Sequence, residues 1–503
     1  MNGTVPVTYV GRERQRAVVA AAFAEPGRIV LVCGEAGVGK SSLVAAERGR
    51  AVTEVLDGAC LQLAGQPLPL AALEQIFDAR GGWPEEPDGW QQQSAEQRLR
   101  AIRQWADALV PVGAATTTTL VVDDLHWADE TTCDFLVYLA CTARRRRLSL
   151  VMTYRDDETP RLGRIEQAVA ELTRLPGATC LQLDRLDRAE AAELVAALTG
   201  GDDVDVDAWY ERSQGNPYLL GELVKDPAAR RAKDVLLARV KGLGPDAAEL
   251  VRLAAIFGLG VADSHLHSAA ALPPERYAAA VHEAVDLGVL IVDGPDRSDY
   301  VFRHSLMCEA VLSLLLPIER RMMHERAARA LAADAADDVV TAAAVSLHWS
   351  AAGVADQAAE WTLKAARKAR SRGAFAEAWG YYQRALDQGR DGPGHLDLTL
   401  EAAGTARLAG DPTAAAALLE AALDHGTATG PERACALERL GCFLWEAGQT
   451  ARSRAAYARA ADTLDPDVTA VHAQVWGAQA RAALIMADFD AAVALADRAV
   501  AAA

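Results

Sequence analysis

One segment constrains this chain more than any other: Gly34-Glu-Ala-Gly-Val-Gly39-Lys40-Ser41. It fits the pattern GxxxxGK[ST] without mismatch, follows the apolar run Arg28–Cys33 and opens a helical pattern. Such a strand–loop–helix unit folds backbone N–H groups around phosphate oxygens and adds the positive end of a helix dipole. Gly34, Gly37 and Gly39 give the loop its freedom, with Val38 between them. Lys40 supplies a point charge for β- and γ-phosphates, and Ser41, followed by Ser42, supplies a hydroxyl that can ligate Mg²⁺. The unit belongs in a sheet of parallel strands, so the fold class follows from it.

The rest of the first 225 residues agrees. Short β-rich runs at Arg28–Cys33, Thr118–Asp123, Leu148–Tyr154 and Cys180–Leu183 alternate with helical patterns such as Gln93–Leu109, Glu130–Ala143, Ala189–Leu198 and Val206–Ser213. Alternating strands and helices predict a parallel sheet covered on both faces, with right-handed crossovers. Thr119-Leu-Val-Val-Asp123-Asp124 is an apolar strand ending in two carboxylates. Asp123 stands where an acid would bind Mg²⁺ through water. Asp124 either polarises an attacking water or caps the next turn. Asp129 is read as the cap of the helix starting at Glu130. Arg155 closes the next strand, where a guanidinium can meet a γ-phosphate or simply face solvent.

Two other regions follow. Residues 226–335 pass from helical segments (Lys233–Val240, Pro245–Phe257, Pro274–Leu287) into two short apolar pieces, 288–294 and Asp299–Arg303. Helices before a small hairpin predict a winged-helix outline. Residues 336–503 are Ala-rich and helical. Small residues at Gly373, Gly410, Gly448 and Ala487 recur at steps of 37, 38 and 39, each before an Ala-rich second helix: Phe375–Leu386, Thr413–Leu423, Ala451–Ala461 and Phe489–Val500. That period predicts tetratricopeptide-like repeats. No polar capping helix precedes Ala503, so one is expected beyond it.

Composition removes other classes. The 503 residues carry 51 Lys and Arg against 69 Asp and Glu, a net charge of −18. An acidic chain does not coat nucleic acid or anionic membrane non-specifically. Its apolar runs fall short of the about 20 residues of a membrane span, and no signal segment opens it. Eight scattered Cys without zinc spacing predict reduced, mostly buried thiols in a cytoplasmic protein. Arg144–Arg147 is expected in a solvated loop. Asp203-Val-Asp205-Val-Asp207 lacks the Gly and Glu of a calcium loop, and His265-Leu-His267 is expected on a surface or core strand.

The pieces Tyr9-Val-Gly11-Arg12-Glu13, the phosphate loop, Asp123-Asp124-Leu-His126-Trp127-Ala-Asp129, Thr153-Tyr-Arg155-Asp-Asp, Gly215-Asn216-Pro217 and Phe302-Arg303-His304-Ser-Leu306 occur in an order that resembles the STAND-class signalling ATPases. Within that class the chain resembles the large ATP-binding, LuxR-type (MalT-like) transcriptional regulators. The phosphate loop alone is generic; the combination is narrow and covers residues 9–325.

The resemblance implies three parts: a P-loop nucleotide-binding domain with a small helical subdomain at 1–225, a winged-helix domain at 226–335, and a tetratricopeptide-like sensor at 336–503. It implies that Val10, Gly11 and Arg12 border the adenine and that Pro217 packs on base or ribose. Arg155 would sense the γ-phosphate. His304 would reach the ADP β-phosphate, or else sit in a core as an ordinary histidine. ADP would hold the parts closed. ATP with a small-molecule or protein inducer at the repeats would open them for self-association, with slow hydrolysis as reset. Promoter DNA would be bound through a helix-turn-helix that residues 338–503 do not offer. The same switch with a non-DNA output, or a repeat scaffold that merely binds nucleotide, are the other readings. Since Tyr9 lies almost at Met1, no cyclase or kinase domain is expected ahead of it.

Overall fold

The computed structural model describes residues 9–51, 53–84, 96–156, 163–200, 205–225, 239–293, 299–302, 305–333, 338–387, 395–425, 430–464, 470–485 and 488–503. The chain divides into two compact units. One comprises residues 1–85 with 102–365, the other residues 86–101 with 366–503.

The first unit is built on five parallel strands: β1 (Ile29–Cys33), β2 (Glu54–Ala59), β5 (Thr118–Asp123), β6 (Leu148–Tyr154) and β7 (Ala178–Gln182), in the order β2-β5-β6-β1-β7. A two-stranded ribbon, β3 (Gln62–Leu63) and β4 (Gln66–Pro67), projects after β2. Helices α1 (Glu13–Ala24), α2 (Lys40–Arg48), α3 (Ala71–Asp78), α4 (Glu96–Leu109), α5 (Glu130–Arg146) and α6 (Gly163–Thr173) connect or flank the strands. All five residues of β1 are buried, as a strand covered on both faces requires. Val30, Val32, Val121 and Val151 pack with Val19 and Phe23 of α1 and Leu43 of α2.

Three further helices, α7 (Arg188–Thr199), α8 (Val206–Ser213) and α9 (Pro217–Lys225), pack around Leu186, Val195, Trp209 and Leu220. Asp187 and Glu190 form a reciprocal capping box at the start of α7, and Asp205 caps α8 through the Ala208 N–H. The acidic Asp205 is thus a helix cap; Asp203 lies outside the described residues.

Helices α10 (Pro245–Phe257), α11 (Asp263–Ala270), α12 (Pro274–Asp286), α13 (Ser305–Ser313), α14 (Pro317–Ala333) and α15 (Val339–Ala352) continue the unit. A three-stranded antiparallel sheet lies among them, β8 (Gly260–Ala262), β9 (Leu290–Asp293) and β10 (Asp299–Phe302), in the order β8-β10-β9. Its core gathers Leu250, Leu253, Leu266, Val289, Leu290, Met307 and Val311. The expected hairpin is present and has a third strand, β8. Residues 233–238 of the helix expected before α10 lie outside the described residues. His265 and His267 lie on α11, so the strand expected there is a helix. The cause is Ala262, whose extended backbone leads into Asp263 in the first turn.

The Arg run also departs from expectation. Arg144–Arg146 form the last turn of α5, and Arg147 ends it in the left-handed region. Arg146 is fully buried, its Nη1 donating to the carbonyls of Ala106 (3.0 Å) and Val110 (2.6 Å). The Ala106 carbonyl also accepts the Val110 N–H at 2.9 Å, while the Val110 carbonyl lies past the end of α4, and the guanidinium supplies its donor.

Helix α16 (Ala355–Ser371) precedes α17 (Phe375–Asp387), α18 (His395–Leu408), α19 (Pro412–His425), α20 (Gly430–Glu446), α21 (Thr450–Asp462), α22 (Ala470–Ile485) and α23 (Phe489–Ala502). In the second unit α18 packs on α19, α20 on α21 and α22 on α23. Gly373, Gly410 and Gly448 have positive φ at the turns, and Ala487 lies outside the described residues. Ala403, Ala406, Ala415, Leu419, Leu437 and Phe443 form a shared core. At Gly441 an added Cβ would lie 2.7 Å from the Tyr457 ring, which is why no larger residue stands there.

Candidate nucleotide site

The phosphate loop leaves β1 at Cys33 and enters α2 at Lys40. Gly34, Gly37 and Gly39 have φ of 145°, 76° and 98°. A Cβ at Gly34 would meet the Leu183 carbonyl oxygen at 2.5 Å. The loop therefore runs tightly against the end of β7. The start of α2 has no side-chain cap, so its first N–H groups face the loop. Lys40 is buried, and its Nζ donates to the carbonyls of Gly34 (2.7 Å) and Glu35 (2.9 Å). Val38 is fully buried, Ser41 is exposed and Ser42 is half-buried.

Three distant segments hold this loop. Arg12 is buried and donates to the carbonyls of Val38 (2.9 Å) and Asp184 (2.5 Å). It follows Gly11, and both have positive φ; Val10 and Gly11 are half-buried beside it. Arg185 grips the Glu35 carboxylate with Nε and Nη2 at 2.6 and 2.8 Å. Asn216 donates from Nδ2 to the Ala36 carbonyl (3.0 Å) and to Glu35 Oε1 (3.3 Å). Its Oδ1 accepts from the N–H groups of Tyr218 (3.1 Å) and Leu219 (3.3 Å), capping α9. The Tyr218 N–H reaches the Gly37 carbonyl at 3.4 Å. Sequence reading singled out Pro217. The structure puts Pro217, half-buried, at the first turn of α9 and gives the loop contacts to Asn216.

The acidic wall is one strand away, because β6 lies between β1 and β5. Thr153 of β6 bridges the gap: its hydroxyl donates to Asp123 Oδ1 and accepts from the Asp124 N–H at 3.0 Å. Asp124 sits in the left-handed region (φ 55°). Asp129 caps α5 as expected and also accepts from the Leu70 N–H. His126 is buried, its Nδ1 3.8 Å from Asp124 Oδ1. Burial first, and then Arg155 and Lys40 nearby, push it down to about 3, so it is neutral. The Arg155 side chain, 11% exposed, has Nη1 3.8 Å from Glu309 Oε1 on α13. Asp124, Arg155 and Glu309 face a cavity of 540 Å³ together with Cys60, Arg320 and His324. His304 lies outside the described residues.

These residues fit a nucleoside polyphosphate with Mg²⁺. Gly34, Gly37 and Gly39 bring no side chains into the turn, Lys40 points back along the loop, and Ser41 and Asp123 offer oxygen donors suited to a hard cation. Among the described residues no cluster of three or more His, Cys, Asp or Glu could hold a metal ion by itself.

Residues 8–152 match the AAA ATPase domain family. An uncharacterized protein of Rhizobium meliloti is 25% identical over 422 residues, covering 73% of this chain and 41% of that protein. The chain thus spans about two fifths of the length of the curated relative it matches. Among solved structures, a Signal Transduction ATPase with Numerous Domains (STAND) protein with a tetratricopeptide repeat sensor, from Pyrococcus horikoshii, matches with a TM-score of 0.52. The identity is 14%, and the match covers 95% of this chain and 68% of that one. The likeness is one of fold: a parallel-sheet P-loop core with many helices, similar to that of the STAND protein. No described helix is long and apolar enough to cross a membrane.

Proposed function

We propose that this chain is a nucleotide-gated signalling switch that regulates transcription. It binds ATP and ADP with Mg²⁺, hydrolyses ATP slowly, rests closed with ADP, and opens and self-associates with ATP and an inducer. The observation that carries this reading is the pair of bonds from Asn216 to Ala36 and Glu35. They tie the loop that would hold phosphates to the cap of α9, so a change in the loop is felt in the following helices. A switch needs such a two-state element biased by its ligand.

On this reading Gly34, Gly37, Val38, Gly39 and Ser42 shape the phosphate cradle and Lys40 neutralises it. Ser41 and, through water, Asp123 hold Mg²⁺, which when bound offsets the charge of the phosphates. Asp124 orients and deprotonates the attacking water, Arg155 reports the γ-phosphate, and Val10, Gly11, Arg12 and Pro217 border the base and ribose. His304, in a winged-helix domain at 226–335, holds the closed state. The helices of 336–503 receive the inducer. DNA is contacted through a further domain. The net charge of −18 favours, as a second reading, the same switch with a non-DNA output; sequence-dependent gel shifts by residues 1–503 would remove both the further domain and that alternative.

Calorimetry on the full chain tests the core of this reading. Lys40→Ala abolishes ADP and ATP binding, and unchanged affinity overturns the assignment. Asp124→Asn leaves binding intact and slows turnover by about 10²-fold or more. Equal turnover would move the water-activating role to another residue.

A further inference from the structure

Cys33 is the last residue of β1, immediately before the phosphate loop, and Cys180 lies on the neighbouring β7. The register pairs Leu31 with Cys180 and Cys33 with Gln182, so the two cysteines are diagonal neighbours on one face of the sheet. Their Sγ atoms are 2.9 Å apart. Cys33 is buried and Cys180 is exposed. Of the eight free thiols, four are buried, two half-buried and two, Cys141 and Cys180, exposed, so the expected burial holds for most but not for Cys180.

We propose that Cys33 and Cys180 form a reversible disulfide that gates the phosphate loop. This inference rests on the nucleotide reading for its consequence, though not for its chemistry. The exposed Cys180 thiolate attacks a hydroperoxide, breaking the O–O bond. This leaves Cys180 sulfenic acid and, with hydrogen peroxide, one hydroxide that takes up a proton as water. The Cys33 sulfur then attacks the Cys180 sulfur. The S–S bond forms, the S–O bond breaks, and the second oxygen leaves as water with the Cys33 proton. Two thiols are oxidised and one peroxide is reduced to two waters. A thiol reductant reverses the bond by exchange.

The surroundings suit these roles. The Cys33 S–H hydrogen bond to the Cys180 sulfur favours the Cys180 thiolate and lowers its pKa to about 7, against opposing effects of partial burial and of Asp156. The same hydrogen bond, burial and Asp156 raise Cys33, with Lys40 acting weakly the other way. Cys180 is then the attacking thiol and Cys33 the resolving one. A disulfide needs sulfurs about 2.05 Å apart, so closure brings them together by roughly 0.9 Å.

That closure pulls on both walls of the loop. Cys33 leads into Gly34. Cys180 leads, three residues on, to Leu183, whose carbonyl backs Gly34, and then to Asp184, whose carbonyl receives Arg12. Drawing β1 and β7 together crowds a turn that already has no room for a Cβ.

The test uses the full chain, treated with hydrogen peroxide and mapped by mass spectrometry without reduction, then titrated with ADP by calorimetry before and after dithiothreitol. The expected result is a peptide link between Cys33 and Cys180, an ADP affinity that falls at least about tenfold, and full recovery on reduction. Cys180→Ser and, separately, Cys33→Ser form no link and keep the affinity of the reduced chain after peroxide. Peroxide that drives Cys180 to sulfinic acid or to intermolecular dimers with no 33–180 link overturns the proposal. A complete link with unchanged ADP affinity overturns the gating. A reduced chain that takes up no ADP overturns the nucleotide reading and the gating with it, whereas the crosslink is judged by mass alone.

Discussion

The phosphate loop and the α-helical repeats differ in what chiefly holds them, although the repeats also have a few polar struts such as Gln479 to the Tyr457 carbonyl. Around the loop, polar side chains hold backbone carbonyls: Arg12 those of Val38 and Asp184 and Asn216 that of Ala36, all distant in sequence, and Lys40 those of Gly34 and Glu35 within the loop itself. Arg146 does the same for the end of α4. In the repeats, Ala403, Ala406, Ala415 and Ala460 let helices approach closely while Leu419, Leu437 and Phe443 fill the space between. Directional bonds of the first kind select one backbone geometry, since a buried carbonyl left unpaired is costly. Apolar contacts of the second kind are non-directional and tolerate small shifts. A loop that must present a fixed ring of N–H groups needs the former; a stacked helical surface needs only the latter.

The largest expected effect separates the two. Arg146→Ala leaves the Val110 carbonyl buried without its donor, takes the second of two donors from Ala106, and opens space beside α4. Chemical denaturation should show a loss of about 3–5 kcal/mol in the first unit. A loss below about 1 kcal/mol would mean that water replaces the guanidinium and that the polar struts are dispensable.

Acid should come next, and it should act on the first unit. His126 is pushed down to about 3, His324 to about 4 and His348 well below 6.5, burial being the main cause in each. His324 and His348 lie with Nδ1 atoms 2.8 Å apart, so they cannot both carry a proton on those nitrogens. Each folded-state pKa is depressed, so the unfolded chain binds protons first. Stability is full above 6.5 and falls as pH drops toward 4. One such histidine costs about 2 kcal/mol by about pH 5. Denaturation midpoints that stay flat across this range would show that these histidines are wetter than their packing implies. His324→Gln should flatten part of the slope.

The smallest effect belongs to the repeats. Gly441→Ala places a methyl against the Tyr457 ring, and the α20–α21 contact should open slightly, at a cost of about 1 kcal/mol read by thermal melting. A cost as large as that of Arg146→Ala would erase the contrast and show the helical stack to be as narrowly specified as the loop.

Much of this fold is legible in the sequence where one local signal dominates. Thr118–Asp123, Leu148–Tyr154, Val206–Ser213 and Pro245–Phe257 form elements over the residues expected of them. Strand β2, Glu54-Val-Leu-Asp-Gly-Ala, is missed because an edge strand with alternating burial and two acids has no apolar run. His265-Leu-His267 alternates like a strand, yet the helix start at Asp263 outweighs three residues of pattern. The candidate site divides in the same way. Lys40, Ser41, Asp123 and Asp124 follow from spacing, because phosphate chemistry demands them in a local order. The roles of Arg185, Thr153 and Asn216 come from carbonyls and carboxylates supplied by other segments, and no local pattern encodes those. The Cys33–Cys180 contact spans 147 residues and exists only because β7 lies beside β1.

The Asn216 strut also has a consequence in time. The loop carbonyl it holds, that of Ala36, is made 180 residues before it. At roughly 5–20 residues per second, a ribosome takes about 10–40 s to cover that stretch. For that interval the nascent loop exists without the side chain that fixes its shape, and Asp184, the carbonyl partner of Arg12, arrives only shortly before. The loop is finished late, by the segment that caps α9, and a chain released before Asn216 carries the complete phosphate-loop sequence in a form that is not yet a site.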